Sequence, residues 1–263
     1  MIEVKNVSKQ FNRLIENKER KKFQPKSKKE AFLAVNDLSI IANEGEIVGI
    51  LGPNGAGKST LLRMMAGILQ PNSGEISVNH IKMSENSDEA KRSIGFLSGN
   101  TKLYQRLTPN ELLATFGNIY GMSKEDIEKR SNEIFELLDM EEFKDNRIEH
   151  LSTGQVQRTS ISRCLIHSPQ VYIFDEPTLG LDILSSQAIL DFMKQEKANG
   201  KTVIYSTHYM EEAENICDRI YMMHHGVILA GGSVKDIKKK TKTKNLRDTF
   251  LVLLADRGET HEL

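Results

Sequence analysis

Apolar and polar positions alternate along "IEVKNVSKQF" at the start of the chain, a period of two that predicts a half-buried β-strand. After a basic interruption the alternation resumes in "FLAVNDLSIIA" and passes into "GEIVGILG", an apolar run ending at Leu51. There the pattern changes. The glycine-rich "GPNGAGKST" leads into "TLLRMMAGILQ", which is spaced as a helix until "PNSG" stops it. "GEISVNHIKM" returns to strand, and from about 103 to 167 the spacing is helical, in "PNELLATFGNIYG", "SKEDIEKRSNEIFELLDM" and "LSTGQVQRTSISRCL". Two short apolar runs, "QVYIFDEP" and "KTVIYSTH", suit strands covered on both faces. "AENICDRIYMMHHGVILAGG" reads as helix, strand, turn, strand, and "NLRDTFLVLLA" predicts a short helix in the tail. There is no internal repeat. A strand-rich start, a parallel core and an inserted helical block predict one α/β domain with a helical subdomain.

Composition sharpens this only modestly. At 263 residues, with 38% apolar and 27% charged residues, the chain can bury a large core and is not of the disordered class. The longest apolar stretches, such as "EIVGILG" and "TFLVLLA", fall far short of the ~20 residues that span a bilayer. The N-terminus lacks the charged-then-apolar order of a signal peptide, so a cytoplasmic location is expected. Cys164 and Cys217 lie far apart without metal-ligand spacing and read as buried thiols in a reducing compartment.

Charge changes the picture more. The formal net charge is zero, yet residues 18–29 hold seven Lys or Arg against one Glu, and residues 235–244 hold six Lys against one Asp. Without those two runs the remainder has 23 basic and 34 acidic residues, a formal charge of −11. Each run reads first as a solvated loop, and more sharply as a contact for anionic lipid headgroups or a membrane subunit.

The candidate chemistry begins at the glycine-rich stretch. Gly52, Pro53, Asn54, Gly55, Ala56, Gly57, Lys58, Ser59 and Thr60 match G-x-x-x-x-G-K-[ST] between a strand and a helix. Glycines let the backbone wrap a polyphosphate with its amides pointing inward, and the helix N-terminus adds a favourable dipole. Lys58 then reaches the β- and γ-phosphates and Ser59 binds Mg²⁺. Asp175 follows the buried run "VYIF" and emerges at a strand's carboxyl end, where it can hold the Mg²⁺ through water. Glu176 faces another way and can polarise an attacking water. His208 ends "KTVIYST" on the same side, within reach of a γ-phosphate, whereas the adjacent His224 and His225 read as structural residues aimed apart.

In this order "GPNGAGKST", "LSTGQ", "VYIFDEP", "LGLD" and the "STH" histidine resemble the ATP-binding subunit of ABC transporters, from about residue 2 to 232. The resemblance implies a P-loop NTPase (RecA-like) core with an N-terminal antiparallel β subdomain and an inserted helical subdomain over about 100–167, followed by a short tail, 233–263, with a helix. It implies ATP and Mg²⁺ as cofactors, a second ATPase subunit, and a transmembrane permease holding the chain at the inner face of the membrane. Ser152, Gly154 and Gln155 fall on the family's signature helix, which points at ATP held by a second copy. Asp182 falls on the loop that crosses the dimer seam. Phe11 matches the aromatic that stacks on adenine, with Phe32 as a competitor.

Two positions depart from the family pattern. Thr153 stands where the signature has glycine, and Gly99 stands where the family has a glutamine that touches Mg²⁺, a contact left to Asn100 or to water. The tail resembles that of ATPases serving ABC-2-type exporters, and "IGFLSGNTKLYQRLTPNELL" resembles the subunit of two-component bacterial sodium exporters. A rival reading is a soluble ABC ATPase acting on nucleic acid or the ribosome. Those relatives carry paired ATPase units or a long coiled coil, and the acidic body disfavours a phosphate backbone, so no nucleic-acid partner is expected, although the two basic runs keep that reading open. A third is a regulatory nucleotide-binding module without turnover.

Overall fold

A computed structural model describes residues 1–16, 27–99 and 102–258. Strands β1 (Ile2–Glu16) and β2 (Ser27–Ala42) form a long antiparallel hairpin, after which β3 (Ile47–Leu51) runs into helix α1 (Lys58–Met65). β4 (Ser73–Val78) and β5 (Ile81–Lys82) turn through Asn79 and His80, both at positive φ as a two-residue hairpin of this hand requires. Short α2 (Ser87–Arg92) and β6 (Ile94–Leu97) precede the helical block of α3 (Pro109–Ile119), α4 (Lys124–Leu137) and α5 (Thr153–Leu165). The chain then alternates β7 (Val171–Asp175), α6 (Ile183–Ala198), β8 (Thr202–Thr207) and α7 (Met210–Ile216). It closes with β9 (Arg219–His224), β10 (Val227–Ser233), α8 (Val234–Thr241) and α9 (Leu246–Ala255).

Two sheets result. One is four-stranded in the order β2-β1-β4-β5; the other is six-stranded in the order β10-β9-β3-β8-β7-β6, parallel except for β10. β3, β7 and β8 are buried along their whole length, as continuous apolar runs predict, and their side chains alternate between two cores. Tyr172, Phe174, Val203 and Tyr205 face the helical layer, while Val171, Ile173 and Ile204 face α1 and the antiparallel sheet. The parallel strands β3, β6, β7 and β8 end on one edge, which brings Leu51, Leu97, Asp175 and Thr207 to a common rim.

Several expectations are revised. Of the first basic run, residues 18–26 lie outside the described ones, and the rest begins β2. The second run is not a solvated loop. It forms most of α8, an amphipathic helix that buries Val234 and Ile237, and Lys238 pairs with Glu214 of α7. Among the described residues the tail therefore holds two helices, and α9 sends Leu246, Phe250 and Leu254 into the main core. Cys164 is buried and Cys217 half-buried, both as free thiols.

One packing detail in the helical block has a pH signature. His167 stacks flat on Tyr120, with ring centroids 3.8 Å apart and planes 2° from parallel, and its Nε2 lies 3.2 Å from the Ile94 carbonyl. Burial, partly opposed by that carbonyl, lowers its pKa from 6.5 to about 4. The unfolded chain therefore binds a proton that the folded chain does not, so stability is complete above pH 6.5 and falls as pH drops from there toward 4. Urea midpoints across that range are expected to decline less steeply in His167→Phe, which keeps a stacking ring without a proton to take up.

Candidate functional site

Helix α1 starts differently from its neighbours. Among the described residues every other α-helix begins with a side-chain cap or with acidic residues in its first turn; α1 has neither, and its N-cap is Gly57. Its first amides are left for an external acceptor, in the loop that resembles a phosphate cradle. Glycine is needed there for two reasons. Gly52 and Gly57 have φ of 155° and 102°, and a Cβ on them would lie 2.2 Å from the carbonyl oxygens of Met223 and Ala34 respectively. The loop is thus pressed against β9 and β2, with no room for a side chain on that side.

Around the loop the predicted residues converge. Lys58, only 4% exposed, donates to the carbonyls of Gly52 at 2.8 Å and Pro53 at 3.1 Å, and its Nζ is 3.2 Å from Glu176 Oε1. Glu176 Oε2 meets His208 Nδ1 at 2.7 Å. Asp175 points elsewhere: its Oδ1 accepts from Ser59 Oγ at 3.0 Å and from Ser206 Oγ at 2.7 Å. The divergence has a backbone cause, because Glu176 sits at φ 50°, a left-handed conformation costly for a side chain with a Cβ. Ser206 supports it by receiving the Glu176 N–H on its hydroxyl at 3.1 Å. Ser206 lies outside the motifs named above, and its one signal in the sequence is a serine inside the apolar run "VIYST".

The cleft beside the loop, about 590 Å³, is lined by residues 54–60 (Thr60 included), Glu176 and, at its mouth, both Phe11 and Phe32. These two rings are register partners across β1 and β2, 6.1 Å apart, so the structure brings the competitors together. His225 also lines the cleft, and its ring lies 4.0 Å from that of His224; the pair is not aimed apart, and only His224 is buried in the structural sense, against Phe250.

A second, smaller cleft of about 300 Å³ gathers Ser152, Gly154, Gln155 and Asp182, and it shares no lining residue with the first. Ser152 and Gln155 cap α5 reciprocally: Gln155 N donates to Ser152 Oγ at 3.3 Å and Ser152 N to Gln155 Oε1 at 2.9 Å. The Gln155 carbonyl oxygen is therefore used inside the chain. Asp182 caps α6 through Ser185, whose N–H and hydroxyl hold its carboxyl below the usual range. Gly154 has no internal need to be glycine, since a Cβ there would meet nothing nearer than Ser185 Oγ at 3.8 Å. α5 is tied to the turn after β7 by Gln157, which donates to the Pro177 carbonyl at 2.9 Å.

Gly99 lies on the rim after β6, where an added Cβ would be 3.4 Å from the Asp175 carbonyl oxygen. It is thus beside the carboxylate strand but offers no side-chain ligand, and Asn100 lies outside the described residues. The oxygen pair of Ser59 and Asp175 suits a small hard cation that keeps waters and takes its other ligands from phosphate. Among the described residues no group of three or more His, Cys, Asp or Glu could form an all-protein metal cage.

Comparison with known proteins agrees with this geometry. Residues 35–179 match the family model described as ABC transporter. The chain is 39% identical to the ABC transporter ATP-binding protein NatA of Bacillus subtilis (strain 168), over 85% of this chain and 92% of that protein. It is 41% identical to the Nod factor export ATP-binding protein I of Rhizobium sp. (strain N33), over 76% of this chain and 66% of that one. A solved dimeric ATP-binding cassette, MJ0796, in a post-hydrolysis state with ADP and Pi, superposes with a TM-score of 0.76 at 29% identity, over 89% of this chain and 99% of that one. The uncapped glycine-lined helix, the two diverging carboxylates and these likenesses lead to one assignment: the chain belongs to the ABC transporter family, as an ATP-binding and ATP-hydrolysing subunit.

Proposed function

We propose that this chain pairs with a second copy around two ATP molecules and drives a separate transmembrane permease in export. The observation that carries the reading is the division into two clefts: the phosphate cleft holds Lys58 and Glu176, whereas Ser152, Gly154 and Asp182 sit in another. A glycine that the chain itself does not need at 154 suits the close approach of a phosphate from outside. Leu179, Ile183 and Leu184 flank Asp182 with 52%, 86% and 82% exposure, an apolar patch that a second copy would cover.

In this mechanism phosphate binding draws Lys58 away from Glu176 and the two loop carbonyls, so the lysine neutralises the β- and γ-oxygens while the α1 amides hold them. Mg²⁺, held by Ser59 and Asp175, would spread charge on the transferring phosphoryl group. Glu176, released from Lys58 but still fixed by His208, orients the attacking water. Phe11 and Phe32 offer the faces for adenine. Closure favoured by ATP and lost after hydrolysis gives the permease two states to follow, provided the closed dimer binds ATP far more tightly than the open one.

Location at the inner face of the membrane, through the permease, belongs to this proposal; among the described residues no helix is long and apolar enough to cross a membrane. Export as direction rests on the Nod factor relative's name and on the sequence resemblance, which also proposes Na⁺ as the cargo; Na⁺ efflux from vesicles carrying the chain and its permease checks it. The ribosomal or nucleic-acid alternative is less well supported, since among the described residues the longest helix between the phosphate loop and β7 is the 14-residue α4.

A complementation experiment tests the shared site. Lys58→Ala disables the phosphate cleft and Gly154→Asp the other, each on its own chain. If copies share nucleotide, mixing the two inactive chains restores phosphate release, to roughly a quarter of wild type for random pairing in an isologous dimer. A mixture as inactive as its components would overturn the model.

A further inference from the structure

The hydrolytic pair of Glu176 and His208 lies on two separate segments, the turn after β7 and the entry to α7, and something must hold those segments in register. Near the pair itself, a second side-chain bond spans them. Thr178, two residues beyond Glu176 and 4% exposed, donates its hydroxyl to Glu212 Oε2 at 2.9 Å, with Oε1 at 3.2 Å. Glu212 is four residues beyond His208, in the first turn of α7.

We propose that the Thr178–Glu212 bond is a positioning latch that sets the spacing between Glu176 and His208 for water attack. Each end is anchored independently. On the first side, the Glu176 turn closes through Leu179 N to the Glu176 carbonyl at 3.2 Å, and Pro177 is held by Gln157 of α5. On the second, α7 buries Ala213 and Ile216, and Glu214 accepts from Lys238 of α8 and from Leu246 N at the start of α9. The latch thus ties two braced bodies together a few residues from the reacting groups, on the far side of them in sequence from the Glu176 N–H bond to Ser206.

The placement of Glu212 is otherwise unfavourable. Burial raises its pKa, only partly opposed by the Thr178 bond and by His208, and the Glu176 carboxylate repels it. A glutamate needed only for the start of α7 would do as well exposed, as Glu211 already is in the same turn. A half-buried carboxylate facing another carboxylate is retained for the bond it makes.

This inference rests on the roles given to Glu176 and His208, and the two can fail separately: Glu176→Gln at full rate sinks those roles, whereas the variants below test the latch. Steady-state phosphate release by the full chain is compared in Thr178→Val, Thr178→Ser, Glu212→Ala, Glu212→Gln and the Val/Ala double variant. A latch lowers kcat about tenfold or more in Thr178→Val and Glu212→Ala with KM for ATP within about twofold, because orientation is lost while binding is kept. Thr178→Ser and Glu212→Gln, which retain a donor and an acceptor, return to near wild type. The double variant is no slower than the slower single one. KM rising in step with unchanged kcat, additive losses, or failure of both conservative variants would overturn it. Should Thr178→Val not fold, the Glu212 pair alone distinguishes these results.

Discussion

Glu176→Gln is expected to slow ATP hydrolysis by about 10²–10⁴-fold, the range of a positioned base, while leaving ATP affinity intact. The substitution keeps the volume and the hydrogen bond toward His208, but removes the charge that polarises water and pairs with Lys58 at 3.2 Å. Lys58 then faces incoming phosphate without a competing carboxylate, so nucleotide binding holds or tightens. With hydrolysis blocked, the closed pair should accumulate. Light scattering after gel filtration is the check: a stable dimer with ATP and a monomer without it. A variant that remains monomeric at saturating ATP, or one that hydrolyses at the wild-type rate, contradicts the site as assigned.

Gly57→Ala is expected to cost both stability and binding. A residue with a Cβ at φ 102° is strained by about 1–2 kcal/mol, and the methyl would lie 2.2 Å from the Ala34 carbonyl oxygen, which belongs to β2 and cannot swing aside. Overpacking of that kind adds about 1–3 kcal/mol. For a chain of this size each kcal/mol moves the thermal midpoint by roughly 2–4 °C, so a fall on the order of 5–15 °C is expected in calorimetry. Because the displaced atoms open α1, ATP affinity should drop with it. Gly154→Ala is the control: the same chemical change, where the methyl would make only an ordinary contact with Ser185 Oγ at 3.8 Å, leaves the midpoint nearly unmoved.

How far the sequence could be read depended on whether a signal was local. "GPNGAGKST" announces its conformation because glycine spacing and lysine placement answer to one ligand, and α1 begins where that motif requires. Asp175 and Glu176 were legible as a strand-end pair, but not the left-handed backbone of Glu176 that turns them apart. Ser206, Thr178 and Glu212 act through partners about 30 residues away, which no local pattern reports. α8 was hidden by its lysines, since only Val234 and Ile237 mark its buried face. α6 carried a readable spacing in Ile189, Phe192 and Met193 after the Asp182 cap, and it went unread beside the stronger "LGLD" signal.

The β1–β2 hairpin has a consequence for how such chains diverge. Pairing continues past the aromatic partners Phe11 and Phe32 to Glu16 and Ser27. Lengthening or trimming the segment between those last partners therefore changes neither the face on which the rings sit nor their separation. The interval between Glu16 and Ser27 is an address where a chain can acquire a new polypeptide tract, of whatever charge, while the nucleotide pocket is inherited unaltered.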